Sequence, residues 1–329
     1  MRLLLQAHVN PGTIERLRAL SPDLDIIDAT ADEAFDIDAL ADTEVEIIVG
    51  RRVPADLARV PRLRWLQVGS AGVDHLAGDP PWARGVTVTN GRGVFAVPIG
   101  EYVSGAILRI NQPIRRWAAD QLAHHWPVDD ERGASIVRGQ TAVLVGYGST
   151  GREVARQLAA LGLRILAVKP RPEVRGDSSY RVPGTGDPDG SFPDRIVGVD
   201  ALTDVAREAD YLVLTLPLTA ESRGLIDEAV LAALPRTAWL INVSRGALVD
   251  EGALLSALGA GRLAGAVLDV FAEEPLPPDH PLWDAPNVTI TPHVSGATTQ
   301  LRDDLVVENV RRYLAGEPWL NLVDPECGY

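Results

Sequence analysis

The sequence has little cysteine, no long apolar run and fewer basic than acidic side chains. Its one cysteine, Cys327, excludes a disulfide within the chain, which favours a reducing compartment. A membrane-spanning helix needs about 18 consecutive apolar residues, and no run approaches that length. The apolar run in the opening MRLLLQAHVNPG is shorter than the core of a signal peptide. These absences predict a cytoplasmic protein.

The charge balance disfavours two classes of partner. The chain carries 31 basic and 45 acidic side chains, a net charge of -14. Such an excess of negative charge opposes non-specific binding to nucleic acid and to anionic lipid. It does not exclude an anionic small molecule, because a few converging donors outweigh a diffuse field screened over about 10 Å. We expect a small-molecule ligand, with neither nucleic acid nor membrane as partner.

Short apolar runs alternate with helical stretches along the 329 residues, which is typical of parallel sheets with helices on both faces. This length is enough for two domains. The first series of predicted strands is LLLQAHV from Leu3, LDIIDA from Leu24, EIIVG from Glu46, LRWLQVGS from Leu63 and VTVTNG from Val86. The second series is TAVLVGYG, RILAVK, YLVLTLP, AWLINVS, GAVLDV and NVTITP, six strands as a Rossmann sheet needs.

Three other segments complete the predicted organisation. A long helix runs from Pro98 to about His125, with a kink expected at Pro113. Residues 171–195, rich in Gly, Pro, Asp and Ser, are predicted to form a surface loop inserted after the second strand of the nucleotide domain. A last helix over residues 298–315 precedes an extended tail that should return to the first domain, making that domain discontinuous.

The segment TAVLVGYGSTGREVARQLAALG carries a dinucleotide-binding pattern. Gly146, Gly148 and Gly151 form G-x-G-x-x-G directly after an apolar strand and at the start of an amphipathic helix. The first glycine allows the tight turn, the second lets the backbone approach the pyrophosphate, and the third lets helix and strand pack closely. Ser149 and Thr150 would face the phosphates. The alternative is an ordinary strand-to-helix turn that happens to hold three glycines.

Cations stand where an NAD enzyme usually has an acidic residue, about twenty residues past the glycines. Lys169 and Arg171 occupy this region. Both could pair with the 2′-phosphate of NADP, and an arginine could do so bidentately. We therefore expect NADP(H) to be favoured, with NAD(H) possible if the two are only solvated loop charges.

Polar side chains that could carry chemistry follow three later strands. Arg245 follows AWLINVS, Asp269 and Glu274 follow GAVLDV, and His293 follows NVTITP. Reduction of a 2-oxo acid needs a cation for the carboxylate and carbonyl oxygen, and an acid for the new alkoxide. Arg245 and His293 could supply these, and Glu274 could orient the imidazole and favour its protonated form. Each alone could equally be a surface charge or a structural residue.

Taken together, these motifs resemble the D-isomer-specific 2-hydroxyacid dehydrogenase family, which includes glyoxylate/hydroxypyruvate reductases and phosphoglycerate dehydrogenases. The resemblance covers nearly the whole chain, in the order VGSAGVDHL, NGRGVFAVPIGEYV, NVSRGALVD, LDVFAEEPLPPDHPLW and TPHVSGAT. It implies an α/β fold of two doubly wound parallel-sheet domains. A Rossmann NAD(P)-binding domain, 99–292, is inserted in a flavodoxin-like substrate domain formed by 1–98 and 293–329.

The resemblance also implies residue roles. Arg245 is the substrate-binding arginine, Glu274 the partner of the histidine and His293 the acid/base. The turn around Ser70 binds the substrate carboxylate through backbone N–H groups, and Asp269 holds the nicotinamide carboxamide. The substrate-binding residues of that turn are Ala71, Gly72 and Val73. The remaining cofactor-binding positions are Pro217, Val243, Ser244 and Gly296. No metal is implied, and the family pattern is a homodimer joined through the nucleotide domain.

Some positions keep two interpretations. Arg51 is either a surface charge or a second cation for the substrate. His124, His125 and Trp126, at the end of the long helix, could enter a partner subunit's site, although packing between domains is the plainer interpretation.

The function itself has two alternatives. One is a formate- or phosphite-type dehydrogenase on the same fold, disfavoured because a glutamate beside the histidine suits protonation of an alkoxide. The other is a non-catalytic nucleotide-sensing binding module.

Overall fold

The structure is a computed structural model that describes residues 1–7, 9–10, 12–30, 44–50, 56–76, 78, 80–128, 133–297 and 302–324. Arg51, Cys327 and residues 298–301 lie outside these ranges. The chain folds into two compact units. The first unit is Met1–Phe95, Ser179–Pro183 and Ala297–Tyr329, and the second unit is Ala96–Ser178 and Gly184–Gly296. No helix in the described ranges is long and apolar enough to cross a membrane.

Strands and helices alternate through both units. The strands are β1 Arg2–Leu5, β2 Asp25–Asp28, β3 Val45–Gly50, β4 Trp65–Val68, β5 Thr87–Thr89, β6 Thr141–Val145, β7 Arg164–Val168, β8 Arg195–Val197, β9 Tyr211–Leu214, β10 Trp239–Asn242, β11 Gly265–Leu268 and β12 Val288–Ile290. The α-helices are α1 Thr13–Arg18, α2 Ala96–Asn111, α3 Ile114–Leu122, α4 Ser149–Ala160, α5 Leu202–Ala206, α6 Glu228–Ala233, α7 Glu251–Gly259 and α8 Arg302–Ala315.

The first unit is built on a five-stranded parallel sheet with the order β2-β1-β3-β4-β5. All five predicted strands are confirmed, and the order is the flavodoxin-like one. The buried side chains of the strands pack against α1 and α8 on one face. There the ring of Trp65 stacks on Tyr313, with 5.6 Å between ring centroids, and its indole N–H donates to Oγ1 of Thr89 at 2.8 Å.

The C-terminal tail returns to this sheet as predicted. The backbone N–H of Val323 donates to the carbonyl of Val88 at 2.9 Å. One residue beyond β5, the N–H of Asn90 donates to the carbonyl of Asn321 at 3.1 Å. These bonds tie residues 321–323 to β5 within the first unit.

The second unit contains a seven-stranded parallel sheet with the order β12-β11-β10-β9-β6-β7-β8. Strand β6 lies between β7 and β9, so the chain reverses direction across the sheet at this point. That order is the doubly wound Rossmann order with one further strand at the β12 edge. Three of its strands, β6, β9 and β11, are buried along their whole length, which fits a sheet with helices on both faces. Ligands bind such sheets beyond the carboxyl ends of the strands, at the reversal point.

Two predictions about the second unit need correction. Strand β8 is missed: the predicted loop 171–195 ends at its first residue, Arg195, and three residues with no apolar alternation carry too little pattern to be recognised. The long helix predicted from Pro98 is two helices, α2 and α3, since Pro113 lacks the N–H that would continue the hydrogen-bond ladder. Pro113 instead precedes the first residue of α3.

Candidate active site

The glycine turn between β6 and α4 is packed against neighbouring backbone at two of its glycines. Gly146 has φ of +101°, and a Cβ there would lie 2.6 Å from the amide nitrogen of Leu216. A Cβ on Gly151 would lie 2.2 Å from the carbonyl oxygen of Gly146. Any larger residue at either position would therefore displace the turn. The turn also accepts a hydrogen bond from the hydroxyl of Thr215 to the carbonyl of Gly146, at 2.7 Å.

Gly148 and the start of α4 together have the open space and the free N–H donors that an anion needs. A Cβ on Gly148 would meet nothing within 4 Å, so the backbone there is open to a close approach. Gly148 precedes α4 without a side-chain cap, which leaves the first N–H groups of this helix for a ligand. The Oγ of Ser149 is buried and has no hydrogen-bond partner among the described residues. The turn thus fits the pyrophosphate of a dinucleotide.

Lys169 directly follows β7, the strand beside β6 in the sheet. Its ammonium donates to the carbonyl of Val174 at 2.6 Å, and it is partly buried. Burial, and then the positive charge of Arg152, lower the pKa of Lys169. Arg171, also predicted to contact the cofactor, is exposed. Both residues therefore follow the strand where the adenosine ribose binds in Rossmann domains.

Arg245 stands in a turn that Asn242, the last residue of β10, holds on both sides. The side-chain amide of Asn242 donates to the carbonyl of Arg245 at 2.9 Å, and its oxygen accepts the N–H of Ser244 at 3.1 Å. The next residue, Gly246, touches the turn that leads to Glu274. A Cβ on Gly246 would lie 1.9 Å from the backbone carbon of Phe271. The arginine turn and the glutamate turn are thus packed backbone to backbone.

Asp269 follows β11 and is fully buried. Its Oδ1 accepts the hydroxyl of Thr291 at 2.5 Å and the N–H of Val294 at 2.9 Å, and its Oδ2 accepts the N–H of Ser295 at 2.8 Å. Its carbonyl accepts the N–H of His293 at 2.9 Å. Asp269 therefore holds the turn that carries His293. A hydrogen bond from Asp269 to the nicotinamide carboxamide stays a prediction.

His293 and Glu274 form a hydrogen-bonded pair. The Nδ1 of His293 is 2.8 Å from Oε2 of Glu274, and Oε1 of Glu274 accepts the N–H of Phe271 at 2.9 Å. The backbone of His293 has φ of +54°, a left-handed conformation that only surrounding bonds make tenable for a non-glycine residue. About half of the imidazole side chain is exposed. The ring is therefore oriented and open to a ligand.

The parallel sheet explains why these residues share one edge. Asn242 of β10 is paired with Leu268 of β11, and Leu268 is paired with Ile290 of β12. The strand ends that carry Arg245, Asp269 and His293 therefore lie side by side. Sequence reasoning identifies those three residues, but it misses Asn242, Gly246 and Thr291, whose partners are set by tertiary packing.

The other predicted cofactor-binding residues differ in their contacts and in their exposure. Ser244 donates to the carbonyl of Leu216, and the carbonyl of Pro217 accepts the hydroxyl of Ser222 at 2.8 Å. Val243 is buried, whereas Gly296, the last residue of the second unit, is partly exposed. Thr150 is partly exposed in the first turn of α4.

The predicted carboxylate-binding turn lies in the first unit, directly after β4. The hydroxyl of Ser70 donates to the carbonyl of Gly72 at 2.7 Å, and the carbonyl of Ser70 accepts the N–H of Gly91 at 2.7 Å. Ala71 is exposed, and Val73 is buried and anchors the turn in the core. The turn is thus held from both ends.

The cluster after α3 presents its side chains to solvent. His124, His125 and Trp126 are all exposed, and 85% of Trp126 is accessible to solvent. His124 also has a left-handed backbone, with φ of +52°.

An open glycine turn at the reversal point of a Rossmann sheet, with an oriented histidine on the same sheet edge, defines a dinucleotide-dependent oxidoreductase. Residues 104–295 match the family described as D-isomer specific 2-hydroxyacid dehydrogenase, NAD binding domain. The glyoxylate reductase of Aeropyrum pernix is 34% identical over 290 residues, which are 84% of this chain and 81% of that protein.

Two solved structures extend the likeness to the fold. The D-isomer specific 2-hydroxyacid dehydrogenase from Xanthobacter autotrophicus Py2, in complex with NADPH and MES, has a TM-score of 0.79 and 31% identity, and the match covers 100% of this chain and 99% of that one. The NADPH-dependent glyoxylate/hydroxypyruvate reductase from Sinorhizobium meliloti, in complex with NADP and sulfate, has a TM-score of 0.76 and 27% identity, with coverage of 100% and 99%. The chain belongs to the D-isomer specific 2-hydroxyacid dehydrogenases, which are nicotinamide-dependent enzymes.

Proposed function

We propose that this enzyme reduces a small 2-oxo acid, of the glyoxylate or hydroxypyruvate type, to the D-2-hydroxy acid. The observation that carries the proposal is the bond of 2.8 Å between Nδ1 of His293 and Oε2 of Glu274, on the sheet edge that also carries Arg245. A relative named glyoxylate reductase and a solved glyoxylate/hydroxypyruvate reductase support the substrate class.

In the proposed reaction Arg245 is the cation that binds the substrate, and His293 is the acid. A bound nicotinamide supplies the hydride for the carbonyl carbon. Arg245 binds the substrate carboxylate and carbonyl oxygen, and its positive charge stabilises the alkoxide that develops in the transition state. The backbone N–H groups of Ala71, Gly72 and Val73 bind the carboxylate, since a turn of successive N–H groups forms a concave site for anions.

His293 completes the reaction by protonating the alkoxide. A carboxylate only accepts hydrogen bonds, so the Nδ1 atom facing Glu274 carries a proton, and Nε2 is left to exchange the second one. The doubly protonated ring is the form that can donate, and the carboxylate of Glu274 holds this ring in place through the bond to Nδ1. In the reverse direction the neutral ring accepts the proton from the hydroxy acid.

The pair also bears on the first alternative, a formate- or phosphite-type dehydrogenase. Oxidation of formate moves no proton between substrate and enzyme, so an acid held by a carboxylate has no task in it. Reduction of a 2-oxo acid needs such an acid. The second alternative, a nucleotide-sensing module without catalysis, leaves the oriented imidazole without a task.

The cofactor is proposed to be NADP(H), with NAD(H) also accepted. Lys169 and Arg171 would pair with the 2′-phosphate, and two solved relatives are complexes with NADPH or NADP. The other proposed cofactor-binding residues contact the pyrophosphate or the nicotinamide half. They are Gly146, Gly148, Ser149, Thr150, Gly151, Pro217, Val243, Ser244, Asp269 and Gly296.

We further propose a cytoplasmic homodimer joined through the nucleotide domain, taken as residues 99–292. The support is a set of exposed apolar side chains on and after α3, which a single chain leaves uncovered. These are Ile114 at 56% exposure, Leu122 at 86%, Trp126 at 85%, Val128 at 52% and Ile136 at 76%.

The test is a substrate panel. Purified protein is mixed with NADPH or NADH and with glyoxylate, hydroxypyruvate, pyruvate or phenylpyruvate, and loss of the reduced nicotinamide is followed by absorbance. We expect oxidation of NADPH with at least one of the first two acids, and the product alcohol should be the D form. Binding of NADPH without turnover of any 2-oxo acid would contradict the proposal and favour the binding module.

A further inference from the structure

The segment 171–195 between β7 and β8 is held by buried bonds to the start of the dinucleotide site. Asp187, at its centre, is 2% exposed. The Oδ2 of Asp187 accepts the phenol of Tyr147 at 2.5 Å, and Tyr147 is the residue between the first two glycines of the turn. The same carboxylate accepts the N–H groups of Ser191 at 2.8 Å and Phe192 at 3.0 Å. One side chain thus closes the segment and reaches the glycine turn.

Arg152 ties the segment to the same place from α4. Its guanidinium donates to the main-chain carbonyl of Asp187, and also to the carbonyls of Arg175, at 2.5 Å, and Gly176, at 3.3 Å. It also lies over the ring of Tyr147, 4.7 Å from the ring centroid. Arg152 is only 2% exposed, so these are buried contacts of a charged group.

The carboxylate of Asp187 is charged at neutral pH in spite of its burial. Burial alone would raise its pKa, but hydrogen bonds from Tyr147, Ser191 and Phe192 hold the pKa of Asp187 below its ordinary value. Burial raises the pKa of Tyr147, so the phenol keeps its proton and donates it to Asp187. The bond between them is therefore charge-assisted, which is the stronger class of hydrogen bond.

We propose that Asp187 is a positioning residue of the dinucleotide site, which fixes Tyr147 and, through it, the backbone between Gly146 and Gly148 that faces the pyrophosphate. The inference rests on the cofactor site proposed above. Gly146 is left-handed and Gly148 has open space beside it, and Tyr147 is the one residue between them whose side chain can anchor this backbone. The segment 171–195 is then a working part of cofactor binding, and no longer only a surface loop.

The test compares cofactor binding in four single variants and in the double variant Asp187→Asn/Tyr147→Phe. Asp187→Asn keeps the shape but puts an amide NH2 against backbone N–H donors. Tyr147→Phe keeps the ring over Arg152 and removes only the hydroxyl. Asp189→Asn, at a carboxylate of the same segment that is not buried, is the charge-matched control. Asp227→Ala removes the side-chain cap of α6, and so controls for a general loss of stability.

We expect Asp187→Asn and Tyr147→Phe to raise the KM and Kd of NADPH about tenfold, as loss of a charge-assisted bond would. The KM and Kd of NADH should rise by a similar factor, because both cofactors carry the pyrophosphate. The kcat and the KM of the 2-oxo acid should change by less than about twofold, and the double variant should be no worse than the worse single one. Asp189→Asn should have the same KM and Kd for NADPH as wild type. Asp227→Ala should lower the melting temperature and leave both constants unchanged.

Three results would overturn the inference. They are an unchanged NADPH KM in Tyr147→Phe, a loss confined to NADPH, or effects that multiply in the double variant. Tyr147→Phe keeps the test valid if Asp187→Asn does not fold. Failure of the wild type itself to bind NADPH would instead contradict the proposed function, so the two failures are distinguishable.

Discussion

The imidazole of His293 and the carboxylate of Glu274 are joined at 2.8 Å between Nδ1 and Oε2. The backbone N–H of Phe271 holds the other carboxylate oxygen at 2.9 Å, so the glutamate is itself fixed before it orients the ring. Catalytic groups gain from this kind of support, because a small misplacement of an acid can lower the rate substantially.

Replacing Glu274 by glutamine tests that relationship. Glu274→Gln keeps the size of the side chain but removes the charged acceptor that orients the ring, so kcat should fall at least about tenfold. Glu273→Gln, at the exposed neighbour, is the matched control and should leave kcat unchanged. Steady-state kinetics with saturating NADPH makes the comparison, and equal kcat values for the two variants would contradict the assigned role.

Thr291 connects the histidine turn to α2. Its hydroxyl donates to Asp269 at 2.5 Å and therefore accepts the phenol proton of Tyr102, at 2.6 Å. Thr291→Val should lower the free energy of unfolding by about 1–3 kcal/mol and reduce kcat several-fold, because the turn carrying His293 loses a restraint. Thr289→Val, two residues earlier and on β12, removes the acceptor of Arg109 and should destabilise similarly without affecting kcat. A kcat loss of the same size in both would mean that stability alone is being measured.

Lys169 predicts a pH dependence of cofactor preference. Its ammonium attracts the 2′-phosphate, and burial followed by the charge of Arg152 lowers the pKa of Lys169. The charge is therefore lost as pH rises, beginning below the ordinary lysine value of about 10.4. The ratio of kcat/KM for NADPH to that for NADH should fall over this range. In Lys169→Gln the ratio should be lower and flat, and a wild-type ratio that stays constant would refute the assignment.

The titration of the Lys169 amine can be observed directly, because Lys169 is the only lysine in the sequence. Reductive methylation with ¹³C labels it together with the N-terminal amine. The Lys169 signal should titrate below the ordinary lysine range in the free enzyme and shift on addition of NADPH.

Gly246 and Gly105 predict opposite effects of the same substitution. Gly246→Ala would place a Cβ 1.9 Å from the backbone carbon of Phe271, and should cost about 1–3 kcal/mol or more of stability while separating the arginine and glutamate turns. A Cβ on Gly105, within α2, would meet nothing within 4 Å, so Gly105→Ala should stabilise by about 0.5–1 kcal/mol. Chemical denaturation measures both, and a neutral Gly246→Ala would contradict the close packing.

The sequence alone is enough to locate the strands with strong apolar patterns. It also identifies the reactive residues that follow the carboxyl ends of those strands. The strands preceding Gly146, Arg245, Asp269 and His293 are all located by it, because buried parallel strands are continuous apolar runs. The three-residue strand β8 is missed, since its sequence contains too few residues to show a period. Pro113 is expected to kink one helix, and it separates two.

The supporting contacts cannot be derived in the same way. Asp187 lies 40 residues from Tyr147 in the sequence, and nothing in a Gly- and Pro-rich stretch indicates that one of its carboxylates is buried. Asn242 and Thr291 act through partners that only tertiary packing brings near. Sequence patterns thus identify groups that react, and the structure adds the groups that hold them.

The most direct test of the account is the kcat of His293→Ala beside its affinity for NADPH. Because general acid–base catalysis contributes about 10²–10⁴-fold, the variant should lose that much of kcat while it binds NADPH as wild type does. A variant that still reduced the 2-oxo acid at the wild-type rate would show that His293 is not the acid, and the proposed mechanism would be wrong.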